Sequence, residues 1–139
     1  MNYLYLSLNL GSLLIPFLFS FHPKIKFYKL WKPLSIGILI SMIIFIPWDI
    51  IFTRYGIWGF NSTYFLGKKI FHLPIEEWLF FICIPYACVF SHYALMLYFP
   101  KLKLSKSITI TISYLLILLF FILSIYNFNK WYSVINFSL

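Results

Sequence analysis

Four stretches of this chain are long and apolar enough to demand a membrane. Tyr3 to Phe21, Leu34 to Thr53, Ile75 to Phe99 and Ser107 to Tyr126 each come close to or exceed the roughly 20 residues a helix needs to cross a bilayer's hydrocarbon. The runs are unbroken and lack the alternation of barrel strands, so helices are the way left to satisfy the backbone polar groups in lipid. Ile108 to Ile112 alternates with Thr109 and Thr111, but the leucine- and phenylalanine-rich run after it favours a helix. Charged residues make up 10% of the chain, against about 25% in soluble domains. The expectation is an all-α integral membrane protein with a single membrane domain over 1–139. It would be a bundle of four transmembrane helices, with an aromatic, glycine-containing loop between the second and third.

A net charge of +8 in a soluble chain would point to nucleic acid, but here topology accounts for it and no nucleic-acid partner is expected. Lys24, Lys26, Lys29 and Lys32 fill the first connection, and Lys101, Lys103 and Lys106 the third; Arg54, Lys68, Lys69 and Lys130 fall on the other side. The positive-inside rule makes the first and third connections cytoplasmic and puts both termini outside, in a multi-pass protein of the cell (inner) membrane. The first run has no basic residue before it and no small-residue cleavage site after it, so it reads as a retained span. Phe27, Tyr28 and Trp31 among the lysines read as a headgroup anchor. Cys83 and Cys88 lie five apart on one span, where buried small hydrophobes are expected rather than a disulfide. The fourth run looks like packing material, and the tail from Phe128 to Leu139 turns apolar again as if another span were beginning.

The chain has three acids, and all sit at span ends. Glu76 and Glu77 open the third run in L-P-I-E-E-W-L-F-F, from Leu73. An ionised acid costs about 2.5 to 3.5 kcal/mol at mid-membrane and less near the interface. Pro74 suits a first helical turn, so the helix should start at Leu73 or Pro74 with both glutamates in that turn. Asp49 lies in I-P-W-D-I-I-F-T, after a Pro47 expected to break or kink the second helix. An ionisable residue in a span is a functional candidate; the alternative is an ion pair with Arg54 or a hydrogen bond across helices. The loop from Arg54 to His72 sets Gly56, Gly59 and Gly67 among Trp58, Phe60 and Tyr64, too many aromatics for a merely solvated connection. It joins the end of the second span to the start of the third, so Asp49, Glu76 and Glu77 converge near one membrane face.

Helical spacing puts Phe80 on a face with Glu76, and Phe80 and Phe81 with Glu77. Pro85 is expected to kink the third helix roughly 13 Å below Glu76, and His92 to be a core or interface histidine. No G-x-G-x-x-G, P-loop, second aspartate for paired magnesium sites or histidine box is present. His72 and Glu76 are four apart, but Pro74 breaks a shared face, so no metal is expected. Desolvation and the neighbouring like charge favour a neutral glutamate, while a helix N-terminus favours the anion. A neutral carboxylic acid can protonate an alkene, and aromatic faces can stabilise the resulting cation. These are the parts for acid-initiated cyclisation of a lipid-soluble polyene. Two other classes compete: a noncatalytic membrane subunit or assembly partner of a lipid-processing complex, and an ion pathway, which would need polar groups through the whole span.

W-D-I-I-F-T-R-Y-G-I-W-G-F-N from Trp48, with L-P-I-E-E-W-L-F-F-I-C-I-P-Y-A-C-V-F from Leu73, closely resembles the small membrane lycopene cyclases of carotenoid-making bacteria, archaea and fungi. The similarity extends more weakly over Met1 to Lys101. It implies a role in carotenoid biosynthesis: a lycopene β-cyclase, of intramolecular lyase or isomerase type, that turns a linear ψ end group into a β-ionone ring without net redox change. Pro74, Glu76 and Glu77 match the family's P-x-E-(E/D) signature, with one glutamate the proton donor and the other, or Asp49, the base. Trp48, Trp58, Phe60, Trp78, Phe80 and Tyr86 would line the substrate, and Gly56, Gly59 and Asn61 belong with Pro74 to the structural motif. That family works as two halves, fused or heterodimeric, and only one motif is present here. The implied partners are lycopene or a related acyclic carotenoid, a second cyclase half and membrane lipid. No cofactor is evident, and a reduced nucleotide or flavin held in a nonredox role stays open.

Overall fold

The structure, a computed structural model, describes residues 3–101 and 105–126; Lys103, Lys130 and the apolar tail lie outside them. Its order is α1 (Leu4–Phe19), a 3-10 turn (Phe27–Leu30), α2 (Trp31–Arg54), β1 (Lys69–Ile70), β2 (Leu73–Pro74), α3 (Ile75–Tyr98) and α4 (Lys106–Tyr126). The chain divides into two compact units, Met1–Pro100 and Lys101–Leu139. In the second unit, α4 has no buried residue, so this all-round apolar helix depends on lipid or protein to cover it. Among the described residues three helices, α2 with its preceding turn, α3 and α4, are long and apolar enough to cross a membrane. α1 has 16 residues, fewer than the 19 of the run read from sequence. It ends where the Ser20 hydroxyl and Ser20 N–H both turn back to the Pro16 carbonyl.

In the first unit α1 and α3 run parallel. Asn9 on α1 donates from Nδ2 to the Glu76 carbonyl on α3 at 2.7 Å, and eleven residues later Ser20 meets the Tyr86 hydroxyl at 2.6 Å. α2 runs the opposite way, because Trp31 at its start reaches the same Tyr86 hydroxyl at 2.9 Å. Every proton in this second contact is assigned by chemistry. The Trp31 indole can only donate, and Ser20 spends its own hydrogen on Pro16, so Tyr86 accepts from Trp31 and donates to Ser20. Beneath this chain of hydrogen bonds lies the core: Phe27, fully buried, meets Tyr86 and Phe90 edge-on at 5.6 and 5.3 Å, with Ile25 and Ile38 beside them.

The expected headgroup anchor is therefore only partly one. Tyr28 is exposed, but Phe27 plugs the bundle, and Trp31 belongs to α2 and stacks on Phe17 at 5.6 Å. α2 begins three residues before the expected Leu34 because Pro33 falls in its first turn, where a missing N–H is harmless. Pro47 does not break it: α2 runs through Pro47 to Arg54. α3 starts at Ile75 with Pro74 as its extended N-cap, since Leu73 and Pro74 are drawn into pairing with Ile70 and Lys69. Phe71 and His72 between the paired residues both have positive φ, 51° and 71°, as a type I′ hairpin turn requires. Neither is the glycine or asparagine such a turn favours, so the hairpin holds strain next to the glutamates.

Two outcomes follow. Tyr86→Phe and Asn9→Leu each unpin one end of the α1–α3 pair and should lower stability in detergent by about 0.5 to 2 kcal/mol, the scale of interhelical hydrogen bonds in membranes. A denaturation midpoint unchanged in both would remove these bonds from the account. His72→Gly should raise the same midpoint, because a left-handed residue other than glycine costs about 1 to 2 kcal/mol.

Candidate active site

The connection between α2 and α3 is a folded cap. α2 ends in a Schellman motif: the Gly56 N–H bonds to the Thr53 carbonyl at 3.1 Å and the Ile57 N–H to the Phe52 carbonyl at 3.0 Å, with Gly56 left-handed at φ 66°. Asn61 shapes the next bend, its Oδ1 accepting the Thr63 N–H and its carbonyl the Tyr64 N–H. Three backbone groups then tie the cap down. The Tyr64 carbonyl takes the Tyr5 N–H of α1 at 3.2 Å, the Lys68 carbonyl takes the Ile75 N–H at 3.1 Å, and the Leu66 N–H donates to Glu76 Oε1 at 2.7 Å. Phe65 is buried in the cap, with the Lys69 ammonium 5.4 Å above its ring.

Under this cap the three acids come together. Glu76 and Glu77 line a cleft of about 370 Å³ with Tyr5, Leu8, Phe60 and Phe80. Asp49, buried on α2, lines an adjoining cavity of about 180 Å³ with Trp58, Gly59, Phe60 and Glu77. Glu77 and Phe60 belong to both, so Glu77 stands between the α1–α3 cleft and the aspartate. Arg54 is exposed at the end of α2, and the group Asp49 shares its cavity with is an acid rather than that cation. Glu76 differs from its neighbour. It is 1% exposed, Oε1 is held by Leu66, and Oε2 is buried with no hydrogen-bond partner.

The aromatic residues named from sequence separate into places. Phe60 and Phe80 line the cleft, and Trp58, whose indole donates to Thr53 Oγ1 at 3.0 Å, lines the aspartate's cavity. Trp48 is a layer behind, against Phe52 at 4.5 Å, and Phe52 meets Trp58 edge-on at 5.2 Å. Trp78 lines a separate apolar groove with Ile46, Pro47 and Phe71, its indole N–H buried and unpaired. Tyr86, grouped with the substrate lining on the sequence, is instead the hydrogen-bonded pin at the other end of the bundle, because ten residues of helix separate it from Glu76. His72 and His92 are exposed, and among the described residues no three His, Cys, Asp or Glu side chains cluster to hold a metal. Sequence reading missed Tyr5 and the partner of Asn9. A lone amide in a leucine-rich helix was the available signal, but nothing local says that it caps the residue carrying the first glutamate.

Residues 2–95 match the family model described as lycopene cyclase. A protein of Pyrenophora tritici-repentis named bifunctional lycopene cyclase/phytoene synthase is 36% identical over 62 residues, which is 45% of this chain and 10% of that protein. One of the same name from Aspergillus oryzae is 35% identical over 52 residues, 37% of this chain and 9% of the relative. The matched stretch thus spans about a tenth of these relatives' length. No solved structure matches. With the family match covering more than half of its residues, the chain belongs to the lycopene cyclase family.

Proposed function

We propose that this chain is one half of a carotenoid cyclase that closes a β-ionone ring on a linear ψ end group of lycopene or a related acyclic carotenoid. The observation that carries the reading is the convergence of all three acids on two adjoining cavities walled by Phe60, Phe80 and Trp58. One carboxyl of the Glu76–Glu77 pair donates its proton to the terminal double bond, leaving a tertiary cation. The next double bond along the chain attacks that carbon, a six-membered ring closes, and the charge passes to the ring. Loss of a ring proton to a carboxylate, with Asp49 across the cavity from Glu77, forms the new double bond. One proton enters and one leaves, so this is an isomerisation with no electron donor or acceptor consumed. The rings stabilise the passing cation without trapping it as a nucleophile or water would.

The partner half is supported by the family likeness, which brings two motif-bearing halves, against the single acid constellation here. The lysine distribution supports a multi-pass placement in the cell membrane with the Tyr86 end cytoplasmic and the acids at the opposite face.

Expression of the full chain in a lycopene-accumulating bacterium, with and without a second half, tests this by chromatography of the pigments. Ring-bearing product is expected when both halves are present, and an unchanged lycopene peak in both strains overturns the reading. In the active pair, Asp49→Asn should lower conversion by about 100-fold or more, the scale of a lost general base.

A further inference from the structure

The two adjacent glutamates occupy unlike positions. Glu77 faces both cavities and is half-buried, so its carboxyl is the one a polyene end in the cleft and Asp49 behind it can both approach. Glu76 is almost wholly enclosed, with Oε1 committed to the Leu66 N–H at 2.7 Å and its backbone carbonyl to Asn9. Its neighbourhood is the joint between cap, α1 and α3. We infer that Glu76 is a positioning residue that latches the α2–α3 cap through Leu66, leaving Glu77 as the carboxyl that hands its proton to the substrate. The assignment rests on the cyclase reading for the Glu77 role and on the hydrogen bond alone for the latch.

The mechanism of the latch is geometric. Leu66 follows the buried Phe65, and the next tie, from the Lys68 carbonyl to the Ile75 N–H, closes the hairpin. Releasing Leu66 frees the middle of the cap, and with it Phe60, which walls both cavities. Substrate would then meet Glu77 in an open, wetter cleft, where water competes for the cation.

The two roles make opposite demands on a side chain. A latch needs an acceptor oxygen at the reach of glutamate, which glutamine supplies and aspartate, one methylene shorter, does not. A proton donor needs an acid, which aspartate supplies and glutamine does not. In the active pair of halves, Glu76→Gln should therefore out-convert Glu76→Asp by about tenfold, the worth of one buried hydrogen bond. At position 77 the order should reverse, with Glu77→Asp above Glu77→Gln. A second readout needs no turnover. Lys68 and Lys69 are exposed in the cap, so trypsin cleavage there in the detergent-solubilised full chain reports cap opening. It should accelerate in Glu76→Asp and Glu76→Ala and stay at the wild-type rate in Glu76→Gln.

Glu76→Asp converting better than Glu76→Gln would overturn the assignment, as would equal trypsin cleavage of wild type and Glu76→Ala. If the wild-type pair forms no ring, the cyclase reading falls and the Glu77 assignment with it, and the cleavage pattern alone then decides the latch.

Discussion

A carboxyl group buried at the edge of an apolar bundle is the constraint the rest of this structure answers to. Removing a carboxyl from water is costly unless it is hydrogen-bonded, and Glu76 meets one part of that demand with a backbone N–H that the cap brings down to it. The cap is held in turn by α1 through Tyr5 and by α3 through Ile75. Asn9 holds α1 against α3 at the carbonyl of the same glutamate. Residue 76 is therefore where cap, first helix and third helix are mutually fixed, and loosening any one exposes the acid to lipid or bulk water. The side chain with an unpartnered buried oxygen is also one of the most enclosed, at 1% exposure.

Hydrophobicity cannot hold such a bundle together, because lipid tails are as apolar as the helix faces. Packing and a few polar contacts must do it. Here those contacts lie at the two ends. One end carries the acids and Asn9; the other carries the hydrogen-bond chain from the Trp31 indole through the Tyr86 and Ser20 hydroxyls to the Pro16 carbonyl. Between them α1 and α3 lie parallel, with α2 running the opposite way. The α1–α3 cleft that holds the glutamates lies at the acid end, while Trp31 and Tyr86 at the other end fix the helices' spacing and line an apolar cavity of about 600 Å³ with Leu13 and Phe17. Four of the aromatics expected beside the acids illustrate the division: Phe60 and Phe80 are in the cleft, whereas Tyr86 works in the pin and Trp78 lines another groove.

Hydropathy and chain order alone sufficed for the all-α class, for the helices in outline and for the meeting of Asp49 with Glu76 and Glu77 at one face, because the joined ends of two consecutive spans lie on the same side of a bilayer whatever the length of the connection. The W-D and P-x-E-E segments stood out on other grounds, as the places where an apolar chain carries its acids. Boundaries were less legible: Pro33 and Pro47 look like breaks in a string of letters, yet one sits harmlessly in a first turn and the other inside a continuous helix.

Only the tertiary structure decided which way each residue faces. In a helix apolar on every side no periodicity singles out the inner stripe, so the text of α3 cannot say that Glu76 is enclosed while Glu77 looks into two cavities, or that Tyr86 binds Trp31. Nor can it reveal that Asn9, Tyr5 and Leu66 complete the site, because those contacts span up to 67 residues of chain and exist only once three helices and a cap have closed on one another.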